Sequence, residues 1–280
     1  MSPRTTQKVA WGFVWAAGGV AVIALVYIIT YVLIEGAATV DWEFLTTVPR
    51  GGLGGRGGIS SCIVSTLYLI VVTMALLVPL GLGAAIYLAE YAPDNKLIGM
   101  VRYSVELLAG VPSIVFGLFG FAVFVLAMSF NYSILSGALT LVCLLLPFLV
   151  RAAEEALRAV PQSQREAALA LGATRWQMVT RVVVPAAMPG IITGVILCVG
   201  RVVSESAPLF VTMGGAAGMP TSLFSGGRTL AVHVFYLAME TNALDKAFGT
   251  AAVLILMILV INFGTKWIAH VFESRLGGAS

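Results

Sequence analysis

Six long apolar stretches separated by short polar segments dominate the chain. They run over residues 9–34, 59–91, 97–129, 132–150, 186–213 and 247–271. A transmembrane α-helix needs about 20 mainly apolar residues to cross the hydrocarbon core of a bilayer. The pattern therefore predicts an all-α polytopic membrane protein with six transmembrane helices. The second stretch is longer than one span, and we expect its run from Pro79 to Gly83 to break or bend it.

Composition supports a bilayer as the solvent of this chain. Of 280 residues, 59% are hydrophobic and only 10% are charged, whereas an ordinary soluble domain is about 25% charged. The net charge of +3 comes with no basic run outside the apolar stretches, so the sequence does not indicate nucleic-acid binding. We expect the lipid bilayer, rather than a nucleic acid, to be the partner that covers most of the surface.

The distribution of Lys and Arg predicts the orientation in the membrane, because positive charges are retained on the cytoplasmic side. With the N-terminus inside, eleven fall on the inner face and four on the outer face, and Arg201 lies within a span. The inner ones are Arg4, Lys8, Lys96, Arg102, Arg151, Arg158, Arg165, Arg175, Arg181, Lys266 and Arg275, and the outer ones are Arg50, Arg56, Arg228 and Lys246. Both termini are therefore expected to be cytoplasmic.

This orientation divides the chain into three parts. We expect a cytoplasmic tail over 1–8, a first transmembrane helix over 9–34 and a core of five helices over 35–280, with a large cytoplasmic loop over 151–185. The glycine-rich segment 51–58 falls in the first outer loop. It lacks the strand and the Gly-Lys-Ser/Thr ending of a phosphate-binding loop, so we expect it to be a flexible connection.

Two helix-start signals mark the inner loop. Residues 163–166, Ser-Gln-Arg-Glu, fit a capping box, and residues 174–177, Thr-Arg-Trp-Gln, fit a second. Gly172 lies between them and can adopt the left-handed conformation that ends a helix. The pattern predicts a helix, a tight turn and a second helix that runs to Pro185. Such an amphipathic pair needs a partner protein or could rest on lipid headgroups.

The inner loop resembles a known motif. Glu166-Ala167-Ala168, Gly172 and the Val-Val-Val-Pro of residues 182–185 are similar to the EAA loop of ATP-binding-cassette (ABC) importer permeases. The resemblance implies a type I ABC importer permease fold, in which the helix before the glycine docks into a separate ATPase subunit. On this basis the residues expected to contact the ATPase are Arg165, Glu166, Ala167, Ala168, Leu171 and Gly172.

Three further segments resemble the phosphate-specific branch of that family. Residues 109–119 and 204–209 are similar to its permeases, with Ser204 and Ser206 in place of a glycine and a threonine, and residues 79–91 resemble its PstA rather than its PstC subunit. The resemblance implies a permease of an ATP-driven phosphate importer in the bacterial inner membrane. Its implied partners are a PstC-like second permease, PstB-like ATPases and a PstS-like external phosphate-binding protein.

The sequence lacks the motifs of several chemical functions. It contains no Gly-x-x-x-x-Gly-Lys-Ser/Thr and no His-Glu-x-x-His motif, so we expect no catalytic residue, no metal site and no cofactor in this chain. The resemblance implies that ATP and Mg²⁺ are bound by the partner ATPase. His233 and His270 are expected at the surface, which leaves an intramembrane serine enzyme without a base.

Three ionisable residues fall inside predicted spans, where charge is costly and usually functional. These are Glu106, Arg201 and Glu205. If the fifth helix enters the core near Pro189, Arg201 lies about 18 Å deep, and a spacing of four places Glu205 on the same face. We expect these residues, with Ser113 beside a helix break, to line the substrate pathway.

Two alternatives remain open from the residues themselves. Arg201 and Glu205 could simply neutralise each other, and the anion could be sulfate or molybdate instead of phosphate. A self-sufficient secondary anion carrier would account for the charges in the membrane but not for the paired helices of the inner loop. The residues alone do not identify the anion.

Overall fold

The computed structural model describes residues 3–50 and 57–277, and this part of the chain is helical, with two isolated β-bridges. The helices are α1 (Pro3–Ala37), α2 (Trp42–Thr46), α3 (Ser60–Ile86), α4 (Lys96–Ala109), α5 (Ser113–Gly120), α6 (Ile134–Arg158), α7 (Gln162–Ala170), α8 (Arg175–Met178), α9 (Val184–Ser204), α10 (Ala207–Met213), α11 (Leu230–Glu240) and α12 (Leu244–Gly277). Three π-helical segments, Tyr87–Tyr91, Phe121–Ala127 and Val179–Val183, follow α3, α5 and α8.

Among the described residues, five helices are long and apolar enough to cross a membrane, and they match five of the six predicted stretches. The third stretch differs, because α4 and the helix that begins with α5 meet at an angle of 101°. Pro112 precedes α5 and has the extended ψ of 138°, and its ring disfavours the α conformation in the residue before it. The predicted third span is therefore a bent pair of helices. If this pair is counted as one span, the described residues contain six candidate spans.

One part of the prediction for the second stretch was wrong: the run from Pro79 to Gly83 does not break the helix. The helix α3 runs through Pro79 to Ile86 without interruption, since neighbouring helices can compensate for the missing N–H of a proline in a membrane helix. The regular α-geometry ends later, at the π-helical segment Tyr87–Tyr91.

The helix α6 lies at the centre of the bundle and packs against α3, α4, α5, α9 and α10. Its buried face, which includes Leu141, Leu145 and Leu149, joins the largest apolar cluster of the protein. Close approach requires small residues at the crossings. A Cβ atom on Gly137 would lie 2.6 Å from Met213 Cγ, and one on Gly120 would overlap the Thr140 side chain.

The inner loop folds largely as predicted, with shifted boundaries. The helix α6 continues through Arg158, two turns beyond the expected start of the loop at residue 151. The helix α7 begins at Gln162 after Pro161 and has no side-chain cap, so the capping box predicted at residues 163–166 was wrong. Pro161, with φ −58° and ψ 140°, takes the N-cap position, which lies two residues before the predicted cap at Ser163.

The second half of the loop confirms two predictions and corrects a third. Thr174 and Gln177 form both hydrogen bonds of a capping box, and Gly172 has a left-handed φ of 83°. The second helix does not end at Pro185, because α8, the π-helical segment Val179–Val183 and α9 form one apolar helix from Arg175 to Ser204. Pro185 comes just after the π-helical segment Val179–Val183, so its missing N–H falls where the regular α-helical hydrogen bonding is already interrupted.

The first and last helices of the chain are α1 and α12. The helix α1 begins at Pro3, so the predicted tail of residues 1–8 is largely helical, and α1 packs along α12 with much of its surface exposed. Of the glycine-rich segment 51–58, residues 51–56 lie outside the described residues. Gly57 is described, and its carbonyl accepts a hydrogen bond of 3.2 Å from Lys246 Nζ.

Candidate functional site: a charged helix break and an inner docking surface

The helix α9 has one buried face and one face that this chain leaves open. Ile191, Cys198 and Val202 are buried against the bundle. Thr193, Leu197 and Arg201 follow one another at intervals of four residues, and all three are exposed. Spacing of this kind places the three side chains on one face of the helix, so Arg201 projects from the side that does not contact the rest of the chain.

Arg201 pairs with Glu205 where α9 ends. The Nε atom of Arg201 lies 3.3 Å from Glu205 Oε1, and the two side chains are 43% and 13% exposed. Glu205 has an extended ψ of 132° and its N–H donates to the carbonyl of Arg201. The predicted continuous span to Met213 is therefore broken at Glu205 and Ser206, and α10 begins afresh at Ala207.

The helix α10 packs against α5, whose first residue is Ser113. A Cβ atom on Gly117 would lie 2.7 Å from Pro208 Cα, which shows how closely the two backbones approach. Ser113 lies about one turn before Gly117 in α5. Glu205 lies three residues before Pro208, just before α10 begins.

The two helices run in the same direction. At their far ends, Tyr132 stacks on Phe121, with ring centroids 5.9 Å apart, and the same tyrosine lies where a Cβ on Gly214 would meet it at 2.7 Å. Ser113 and Glu205 therefore lie toward the same end of the α5–α10 pair. This placement agrees with the predicted helix break beside Ser113.

Glu106 does not share this location. It lies on α4, and its carboxylate pairs with Arg151 at 2.9 Å, near the inner end of α6. Both side chains are about half exposed or more, at 61% and 49%. Glu106 therefore pairs with a different residue from Glu205, and its place in the substrate pathway stays a prediction.

The helices α7 and α8 expose both apolar and charged side chains on the surface that faces away from the bundle. Glu166 and Ala167 are exposed on α7, Leu171 is 89% exposed, and Gly172 is exposed at the turn. Ala168 is half-buried and packs against the core. Trp176, 65% exposed on α8, adds a large apolar side chain that the motif did not indicate.

Arg165 was also expected to contact the ATPase, but its side chain points toward the helix bundle. Its side chain is 13% exposed and pairs at 2.8 Å with Glu90, which is 5% exposed. Sequence reasoning missed Glu90, although a lone carboxylate at the end of an apolar stretch was a detectable signal.

A second polar cluster lies in the segment between α10 and α12. Arg228 donates from Nε to the carbonyl of Gly215 at 2.9 Å, lies 3.3 Å from His233 Nδ1 and stacks over the Tyr236 ring. His233 is 4% exposed, so its expected surface position was wrong. Burial, and secondarily the charges of Arg228 and Lys246, lower the pKa of His233 from 6.5 to about 4. No group of His, Cys, Asp and Glu in the described residues could hold a metal ion.

The described residues form a bundle of candidate membrane helices, with a charged break after α9 and a helical pair in one loop. Residues 78–278 match the family model described as binding-protein-dependent transport system inner membrane component. The match covers more than half of the chain, and the chain belongs to this family.

Individual relatives extend the similarity to nearly the whole chain. It is 35% identical to the probable ABC transporter permease protein YqgI of Bacillus subtilis, over 99% of both chains. It is 36% identical to the phosphate transport system permease protein PstA 1 of Mycobacterium tuberculosis, over 97% of this chain and 91% of the relative. A solved bacterial ABC transporter involved in alginate import has a similar fold, with a TM-score of 0.67, 16% identity and coverage of 95% and 98%.

Proposed function

We propose that this chain is the permease subunit of an ATP-driven importer of inorganic phosphate, and that it forms half of the translocation pathway. The observation that carries the proposal is the Arg201–Glu205 pair on the open face of α9. The named relatives include a phosphate permease that matches almost the entire chain, which supports phosphate as the transported anion.

An arginine within a span must face a polar environment, because an unpaired charge in hydrocarbon is costly. Arg201 keeps 43% of its side chain exposed while it contacts Glu205 through Nε. A guanidinium has five donors, so several remain available on the side away from this chain. A second permease subunit facing α9 would enclose these donors in a polar path between the two proteins.

Glu205 gives this path a preference among oxyanions. Phosphate at neutral pH retains at least one proton and can donate a hydrogen bond to a carboxylate, whereas sulfate is fully ionised and cannot. Guanidinium groups bind phosphate oxygens through paired hydrogen bonds. The Arg201–Glu205 pair therefore offers donors to the phosphate oxygens and an acceptor to the phosphate hydroxyl. Ser113 lies toward the same end of the α5–α10 pair and supplies a side-chain hydroxyl.

The exposed surface of the inner loop is suited to an ATPase partner. Leu171 and Trp176 expose most of their side chains to solvent, and Glu166 lies beside them on α7. Large exposed apolar side chains rimmed by charge are typical of protein interfaces. We assign the coupling contact to Glu166, Ala167, Leu171 and Gly172, with Trp176 added and with Arg165 and Ala168 directed toward the permease body.

The proposal also assigns the other subunits of the importer. This subunit is non-catalytic, and ATP and Mg²⁺ are bound by PstB-like ATPases on the cytoplasmic side. A PstC-like permease completes the path, and a PstS-like protein delivers phosphate from outside. Both termini and the loop that contains α7 and α8 lie in the cytoplasm, as the distribution of Lys and Arg indicates.

The decisive experiment reconstitutes the chain with its ATPase, second permease and binding protein in liposomes. ATP hydrolysis and anion uptake are measured with phosphate and with sulfate at matched concentrations of their loaded binding proteins. We expect uptake of phosphate coupled to ATP hydrolysis and no comparable uptake of sulfate.

Two other results would replace the proposal. Equal or greater uptake of sulfate or molybdate would assign the chain to another oxyanion importer. Uptake of phosphate by this chain without an ATPase, driven by an ion gradient, would identify it as a secondary carrier.

A further inference from the structure

The inner end of α3 carries a buried carboxylate that binds the loop. Glu90 lies in the π-helical segment Tyr87–Tyr91, and its side chain is 5% exposed. Its Oε1 atom accepts hydrogen bonds from Nη2 and Nε of Arg165, at 2.8 and 3.3 Å. A carboxylate buried to this extent is stable only when it is paired, so the position of α7 and the end of α3 depend on each other.

Arg165 also binds the end of a second membrane helix. It donates from Nη2 to the carbonyl of Leu157 at 2.8 Å and from Nη1 to the carbonyl of Val160. The last carbonyls of a helix have no partner within the helix, and these two belong to the final turn of α6 and the residues just beyond it. One guanidinium therefore joins α7 to the inner ends of both α3 and α6.

Arg175, the first residue of α8, makes a parallel connection. Its Nη2 donates to the backbone carbonyl of Glu90, and its guanidinium lies 5.2 Å from the centre of the Tyr91 ring. Glu90 thus receives one arginine on its carboxylate and another on its carbonyl. The two helices on either side of the Gly172 turn are both fixed to the same residue.

The other contacts of α7 are with α8 and the π-helical segment Val179–Val183, which lead into α9. None of its residues is buried, and Ala168 is its contribution to the neighbouring apolar cluster. Arg165 therefore provides the polar connection through which a displacement of α7 reaches the ends of α3 and α6. The receiving segment is π-helical, a geometry that is less regular than the α-helix and frequent at functional sites.

We propose that Glu90 is a positioning residue that passes displacement of the α7–α8 pair to α3, through Arg165 and Arg175. This inference rests on the proposed docking of an ATPase to that pair. It assigns to Glu90 a role in coupling ATP hydrolysis to movement of the membrane helices, separate from any contact with the anion.

The test compares Glu90→Gln with Glu155→Gln in the reconstituted complex. Glutamine keeps the size of Glu90 and removes its charge. Glu155 serves as the matched control, because it pairs with Arg151 of the same helix, at 3.1 Å, and is 66% exposed. We expect Glu90→Gln to reduce the phosphate transported per ATP hydrolysed by about fivefold or more, whereas Glu155→Gln keeps the ratio of the unmodified complex.

A distance measurement separates coupling from mere support of the fold. Spin labels at Tyr87 and Ser163, both exposed, report the separation of α7 from the end of α3 in a background without the native cysteines. With Glu90 in place, the separation should be the same in the nucleotide-free and nucleotide-trapped states. In Glu90→Gln we expect it to change or broaden when nucleotide binds.

Arg165→Lys provides a second test if Glu90→Gln does not assemble. Lysine keeps the charge beside Glu90 but replaces the fork with one ammonium group, so it cannot maintain all the bonds to α3 and α6. We expect this variant to assemble and to show a reduced transport ratio with a broadened label distance.

Two results would overturn the inference. The first is a wild-type transport ratio and an unchanged label distance in Glu90→Gln or Arg165→Lys. The second is a lower yield of complex in which the remaining molecules keep the wild-type ratio, since this would show a structural role alone. Failure of the unmodified complex to transport phosphate would contradict the proposed function instead, and the label distances would still test the connection.

Discussion

Arg201 and Glu205 form an ion pair in which one partner lies in the last turn of α9 and the other has already left the helix. Their separation is 3.3 Å, although Glu205 has an extended backbone. The pair therefore spans the break between α9 and α10 and does not depend on a continuous helix. A charge change at either residue can act on the anion, on the break, or on both.

The first prediction separates these effects at Arg201. We expect Arg201→Gln to reduce phosphate uptake at least about tenfold, since a hydrogen bond to a charged group contributes about 1.5–3 kcal/mol. Removing Arg201 also leaves Glu205, whose side chain is 13% exposed, without its partner, which can destabilise the fold. The double variant with Glu205→Gln removes both charges, and uptake is measured together with the amount of assembled complex.

If Arg201 binds the anion, the double variant should assemble normally and still fail to transport. Full phosphate uptake at normal abundance would instead show that the pair is purely structural, and the assignment of the pathway would be withdrawn.

The second prediction concerns the turn between α7 and α8. Gly172 has a φ of 83° and open space around it, so backbone conformation rather than crowding restricts this position. We expect Gly172→Val to uncouple ATP hydrolysis from uptake, because a β-branched residue in the left-handed region costs about 1–3 kcal/mol.

Gly172→Asn is the control for this turn, since asparagine tolerates the left-handed region better than other residues. It should keep the ratio of phosphate transported to ATP hydrolysed close to that of the unmodified complex. Normal ATPase docking and normal uptake in Gly172→Val would contradict the role of the loop in coupling.

The third prediction concerns the packing of α5 on α6. A methyl group on Gly120 would overlap the side chain of Thr140, so we expect Gly120→Ala to lower the free energy of unfolding by about 1–3 kcal/mol. Gly83→Ala on α3 meets nothing within 4 Å. It should be neutral or stabilising, because alanine favours a helix over glycine by about 0.5–1 kcal/mol.

Thermal unfolding of the two variants in the same detergent tests this difference. An equal transition temperature for both would show that α5 and α6 do not approach as closely as the structure indicates.

The fourth prediction is a pH dependence that originates at His233. Its pKa is about 4 in the folded protein, against an ordinary value of 6.5, so the unfolded chain takes up a proton at a higher pH than the folded chain. Stability from this residue is constant above about pH 6.5 and falls as the pH drops toward 4, by about 2 kcal/mol at pH 5.

Unfolding measured at pH 7 and pH 5, with and without His233→Gln, isolates this contribution. Glutamine does not titrate, so the variant should lose less stability on acidification than the unmodified chain. An identical pH response of both proteins would refute the contribution of His233, whose charged neighbours are Arg228 and Lys246.

Much of the architecture was predictable from local pattern. Apolar length identified five of the six stretches as single membrane-length helices, because the hydrocarbon core demands about 20 apolar residues regardless of the rest of the fold. Gly172 and the Thr174–Gln177 cap were also predictable, since turn and cap chemistry depends on residues within a few positions of each other.

Predictions failed where a distant neighbour decided the outcome. Pro79 does not interrupt α3, because surrounding helices stabilise a proline-containing helix in ways that its own sequence does not specify. The partner of Glu106 was not predictable from local pattern either, because it is Arg151, 45 positions further along the chain.

The sequence by itself determined where the long apolar helices lie, the capped turn of the inner loop and the four-residue spacing of Arg201 and Glu205. These features follow from hydrophobic length and from hydrogen bonds between near neighbours. Only the tertiary structure decided that α4 bends away from α5, that Arg201 faces outward, and that Arg165 reaches Glu90, 75 positions earlier. Those outcomes depend on which helix ends are packed together, and packing brings together residues whose separation along the chain carries no local signal.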